Sequence, residues 1–147
     1  LRANGAGQLV CLDPRPRIEL PAEARHLALP WQEAPPELFA ELQPGDVLFI
    51  DSSHEAEEAL AHYLLLDALP VGVLVHHHDI LYPNPPLWPE ENLVISYYAL
   101  RRPRWQGLAH LSLLQHDPGP AAMTALFPRA ARAPGRARGS VWLEKRA

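Results

Sequence analysis

The densest group of titratable side chains in the chain is His76-His77-His78-Asp79. Imidazole and carboxylate ligate divalent transition metals, and imidazole carries protons near neutral pH. Side chains alternate along a strand, so at a strand end His76 and His78 share one side while His77 and Asp79 take the other until the strand breaks. Of the three histidines, His77 is the one expected to pack against a neighbouring helix. A second group, Asp51-Ser52-Ser53-His54, stands where a strand meets a helix, and free backbone amides there favour anions. Asp51 and Ser52 are also placed to cap the helix, which leaves His54 without a capping role. Asp51 on one strand end and His78 and Asp79 on the next make a candidate metal set. Asp13 ends an early apolar run, a position from which a carboxylate accepts both hydroxyls of a ribose, although Asp-Pro also begins turns. His62, eight residues beyond His54, is expected on an exposed or partly buried helix face.

The elements that must position these residues are legible in outline. Residues 8–12 form a short apolar run stopped by Asp13-Pro14, since proline cannot continue a central strand. His26 to Leu29 make a second short strand, and Pro35-Pro36 followed by Leu38, Phe39 and Leu42 predicts a short helix. Asp46 to Asp51 has a continuous apolar middle, the pattern of a strand covered on both faces. Ser52 and Glu55 have capping-box spacing, and apolar residues at 60, 63, 64 and 68 predict a helix that ends at Pro70. Val71 to Val75 is β-branched and runs into the histidines, completing a strand-helix-strand unit. Residues 81–107 carry tryptophan, tyrosine and proline without a clean period. Leu108 to Gln115 and Val141 to Leu143 are further strand candidates. Trp88, Tyr97, Tyr98 and Trp105 are read as core or as the wall of an acceptor pocket. Arg101, Arg102 and Arg104 are read as solvated or as contacts for an acidic substrate.

Length and composition bound the rest. The chain has 147 residues, 48% hydrophobic and 20% charged, which is enough for one domain and close to globular averages. A net charge of −4 disfavours nucleic acid as a partner. The single cysteine, Cys11, can form no internal disulfide, and no run of about 18 apolar residues suggests a membrane span. These features point to a soluble, cytoplasmic protein with no membrane partner. Proline is abundant, 17 residues, so loops are many and stiff. The segment from Arg129 to Gly139 is rich in Arg, Ala, Gly and Pro and is read as a solvated loop or an anion contact; 116–140 is expected to be a flexible loop region.

Asp46 to His54, containing Phe-Ile-Asp-Ser-Ser-His, then Leu69 to Ile80, containing His-His-His-Asp-Ile, then Tyr82-Pro83 and Trp88, resemble the class I S-adenosylmethionine-dependent methyltransferases, in the branch grouped as methyltransferase family 24. Gly139-Ser140-Val141-Trp142 resembles the final strand of that branch. The resemblance covers most of residues 8–90 and the last strand; residues 91–138 match less. It implies an α/β, Rossmann-like sheet, mostly parallel with an antiparallel last strand, across a single partial domain of residues 1–147. It implies S-adenosylmethionine as cofactor, with Asp13 on its ribose and Asp51 and Ser52 beside it. Some relatives bind a divalent ion through an acid at the position of Asp51 and an acidic pair after the fifth strand, here His78 and Asp79. The ion expected is magnesium or manganese ahead of zinc, the acceptor a small molecule or sugar, and the catalytic residue that takes the acceptor's proton His54 or His76. The family's first strand and glycine-rich loop are not found in the sequence, so a fragment or a shortened homologue is expected, and a homo-oligomer would cover the sheet edge this leaves. Two other classes fit parts of the sequence: a metal-dependent hydrolase using His76 to Asp79, and a non-catalytic remnant that keeps the fold.

Overall fold

The computed structural model describes residues 7–81, 89, 91, 92, 94, 95, 103–110 and 139–147. The chain forms two compact units that meet in sequence between Phe39 and Ala40.

In the first unit β1 (Val10–Leu12) and β2 (Arg25–Leu27) pair in parallel, with Val10 opposite Arg25 and Leu12 opposite Leu27. Proline at position 14 has no amide hydrogen to continue the ladder. The chain turns instead, and the amide of Arg15 donates to Asp13 Oδ1 at 2.7 Å. His26 Nε2 donates to the carbonyl of Asp13 at 2.7 Å, fixing the end of β1 against β2. A 3-10 turn (Trp31–Glu33) follows, and α1 (Pro36–Ala40) starts on proline, whose fixed φ suits a first helical position.

The second unit is built on β3 (Val47–Ile50), α2 (Ala56–Ala68) and β4 (Leu74–His78), the strand-helix-strand unit read from the sequence. β3 and β4 pair in parallel, Val47 with Leu74 and Ile50 with His77. β6 (Ser140–Lys145) lies antiparallel to β4 and to β5 (Trp105–His110), giving the order β3-β4-β6-β5. Three strands of this sheet therefore share a direction and only the last opposes them, as the resemblance implied. The inward residues Val73, Val75, Val141 and Leu143 are 0–1% exposed, and Leu66 of α2 is 0% exposed. Burying such side chains contributes about 1.5–3 kcal/mol each.

Two glycines permit close approaches. Gly72 has φ +85°, and a Cβ there would lie 2.7 Å from Pro44 Cβ. A Cβ on Gly139 would fall on the carbonyl of Ile80 and the side chain of Leu81, so β6 can enter the sheet beside β4 only with a bare backbone. At the other end of β6, Lys145 Nζ donates to the carbonyl of Asp67 at 2.9 Å and lies 5.1 Å from the centre of the Trp105 ring. It supplies the cation that the last turn of α2 lacks.

Several expectations are corrected. β3 is not covered on both faces: it is an edge of the four-stranded sheet, and Val47 and Phe49 are 51% and 54% exposed. α2 does not bury residues 60 and 64; Leu60 and Leu64 are exposed, and Ala59, His62 and Leu66 face inward. Leucines occupy so many of its positions that the helical period is ambiguous, and the contact of His62 with β4 decides it. Ser52 does not cap α2. Glu55 holds the N-cap position and no side chain bonds the first amides of the helix; ahead of it the amide of Ser53 donates to Glu58 Oε2 at 2.8 Å and its hydroxyl bonds the same carboxylate. The fourth strand starts at Leu74 and runs through His78, because Val71 and Gly72 form a turn. β5 starts at Trp105, earlier than the expected Leu108, with a bulge between Gly107 and Ala109. Of the loop expected over 116–140, residues 116–138 lie outside the described residues, and Ser140 opens β6. No helix among the described residues is long and apolar enough to cross a membrane.

Candidate functional site

At the ends of β3 and β4 the backbone does two uncommon things. His54 has φ 65° and Asp79 has φ 55°, both in the left-handed region that side chains other than glycine seldom adopt. The turn at Asp79 ends the alternation of β4 and returns its carboxylate to the side of His78, with Oδ1 at 3.2 Å from His78 Nδ1. Asp51 Oδ1 lies 3.7 Å from the same nitrogen. One ligand atom from each of Asp51, His78 and Asp79 can be chosen so that all lie within 4.8 Å of one another, so the structure brings this predicted set together at a half-exposed mouth.

His54 sits under that mouth. Its Nε2 lies 4.0 Å from Asp51 Oδ1 and 3.8 Å from Asp79 Oδ2, while its Nδ1 donates to Glu91 Oε2 at 2.7 Å. Glu91 is 1% exposed. Burial pushes its carboxyl above the ordinary range, and the bond from His54 pulls it back. A carboxylate on one ring nitrogen fixes the tautomer and leaves the other nitrogen as a base. Glu91 belongs to a helical stretch carrying Pro89, Asn92, Val94 and Ile95. Asn92, fully buried, anchors this stretch to the turn after β4: its side chain accepts from the amide of Leu81 and donates to the carbonyl of Asp79 at 3.4 Å.

His77 is 1% exposed and packs edge-on against His62 of α2, ring centres 5.5 Å apart, as expected of the helix-facing histidine. His62 is 2% exposed, so the expectation of an exposed or partly buried His62 is corrected to full burial. Burial lowers both rings, His62 to about 4 and His77 to about 3, and both are neutral at pH 7. On the opposite face of β4, His76 stacks on Trp142 at 4.3 Å and meets Phe49 edge-on at 5.0 Å. These are its cross-strand neighbours in register. Burial, then His78, lowers the His76 ring. His78 lies on the same face, ring centres 6.4 Å apart.

The other predicted residues separate into distinct places. Asp13 closes β1 in the first unit, half-buried, with Oδ1 taken by the Arg15 amide. Ser52 Oγ is buried with no hydrogen-bond partner among the described residues. Trp105 is core, 5% exposed, and Arg104 is exposed. Trp88, Tyr97, Tyr98, Arg101, Arg102 and the segment 129–138 lie outside the described residues. Sequence reasoning missed Glu91 and Asn92. The signal was Pro89 followed by two acids, a helix start, obscured by the surrounding aromatic residues.

The profile of a family described as a methyltransferase domain, family 24, matches residues 1–80. No curated protein and no solved structure matches the chain significantly.

Proposed function

The chain belongs to that methyltransferase family, and we propose that it transfers a methyl group from S-adenosylmethionine to a hydroxyl of a small-molecule or sugar acceptor, with His54 taking the proton. The observation that carries this reading is the bridging position of His54. A buried glutamate holds Nδ1 at 2.7 Å, and Nε2 faces the carboxylates of Asp51 and Asp79. The glutamate orients the imidazole and leaves Nε2 toward the mouth of the site, the arrangement of a general base.

When bound, the donor supplies an electrophilic methyl carbon, so the attacking oxygen has only to be placed and deprotonated. Asp13 is suited to hold the ribose hydroxyls, since one of its oxygens is engaged by Arg15 and the other remains to accept. Asp51 and the hydroxyl of Ser52, which has no hydrogen-bond partner among the described residues, are suited to line the donor at the end of β3. Asp51, His78 and Asp79, two carboxylates and an imidazole at a partly exposed place, fit a divalent ion, manganese or magnesium ahead of zinc. Such an ion lowers the pKa of a nearby hydroxyl. His76, wedged between Phe49 and Trp142, is assigned to the wall of the site and not to proton transfer.

The test is release of S-adenosylhomocysteine over a panel of hydroxyl-bearing acceptors. Turnover in the parent, lost in His54→Gln and reduced in Glu91→Gln, is expected. Turnover unchanged in His54→Gln contradicts the assignment.

A further inference from the structure

We propose that His62, His77 and Glu91 form a second metal site, separate from the half-exposed set at the strand ends, which takes a divalent first-row transition ion of the zinc type. The three side chains come from α2, β4 and the helical stretch around Glu91, and each is 1–2% exposed. One ligand atom from each lies within 4.8 Å of the others. Two imidazoles and a carboxylate are a ligand set that zinc and iron(II) accept, with further positions open.

The decisive observation is an apposition of two acceptors. His77 Nδ1 donates to the carbonyl of His78 at 3.3 Å, so the lone pair of the ring is on Nε2. That nitrogen lies 3.6 Å from Glu91 Oε1, and both atoms are buried with no hydrogen-bond partner among the described residues. A lone pair and a carboxylate oxygen do not face each other in a buried place without a positive centre between them. A proton is one such centre and a metal ion the other. The His62 ring beside this pair favours the ion, because it completes a buried three-ligand set that a shared proton does not need. The two oxygens of Glu91 divide the work: Oε2 accepts from His54, leaving Oε1 for the metal. A carboxylate tied in this way to a second group is a better-oriented ligand. The proposal does not depend on methyl transfer, and an inactive protein would hold the ion equally.

Chelator-treated protein is titrated with zinc(II) by calorimetry and with cobalt(II) by visible absorption, for the parent, Asp51→Asn, His77→Phe and Glu91→Gln. The expected result is one tightly held equivalent in the parent and in Asp51→Asn, with a cobalt spectrum of an imidazole-carboxylate site. The equivalent is expected to be lost or weakened at least ~10-fold in His77→Phe and Glu91→Gln. Should these variants fail to fold, nitrogen-15 spectra of the parent decide, since zinc(II) must shift the Nε2 resonance of His77 from its free position. An ion lost in Asp51→Asn and kept in His77→Phe belongs to the exposed set and overturns the proposal. Absence of binding in the parent, or an unshifted His77, also overturns it and leaves a shared proton between the two acceptors.

Discussion

Acidification should unfold the second unit through the buried histidine pair. In the metal-stripped protein His62 and His77 are neutral, held at about 4 and about 3 by burial. In the unfolded chain both return to about 6.5. Below that value the unfolded state binds protons that the folded state refuses, so stability is fully present above pH 6.5 and falls as the pH drops toward the folded values. At pH 5 each ring is 1.5 units below its unfolded pKa and still above its folded one, which at 1.36 kcal/mol per unit is about 2 kcal/mol per histidine and about 4 kcal/mol for the pair. That is a large share of the ~5–15 kcal/mol stability of a domain. Glu91, raised by burial, acts in the opposite sense, so the assay is a comparison: urea unfolding of parent and His62→Leu in chelator at pH 7 and pH 5. The variant should lose about 2 kcal/mol less than the parent between the two pH values. Equal losses would refute the burial of a neutral His62.

Gly139→Ala places a methyl group on the carbonyl of Ile80 and should cost about 1–3 kcal/mol as overpacking, read as a lower urea midpoint. Lys145→Met removes the cation from the end of α2; unsatisfied carbonyls cost about 1–3 kcal/mol, and a fall in Tm that is smaller at high salt would be observed.

The strand ends were legible because apolar runs of four or five residues stopped abruptly at acids and histidines. The alternation of His76, His77 and His78 then followed from strand geometry alone. The inward face of α2 was not legible. Leu60, Leu64 and Leu66 offer the same chemistry, and only the fit of His62 against His77 selects the face. The bridging role of His54 was half legible: its place before α2 is local, but its partner Glu91 is 37 residues away, in a stretch whose aromatic residues hide the helical period. Ser52 does not cap because α2 starts at Ala56, which puts Glu55 at the N-cap, while Glu58 reaches back to Ser53.

A working donor site is tested by calorimetric titration of S-adenosylmethionine into the protein, with and without manganese, beside Asp13→Ala. The account predicts saturable one-site binding that Asp13→Ala weakens at least ~10-fold, the worth of hydrogen bonds to a charged group. No saturable binding in either condition, or binding indifferent to Asp13, would contradict it.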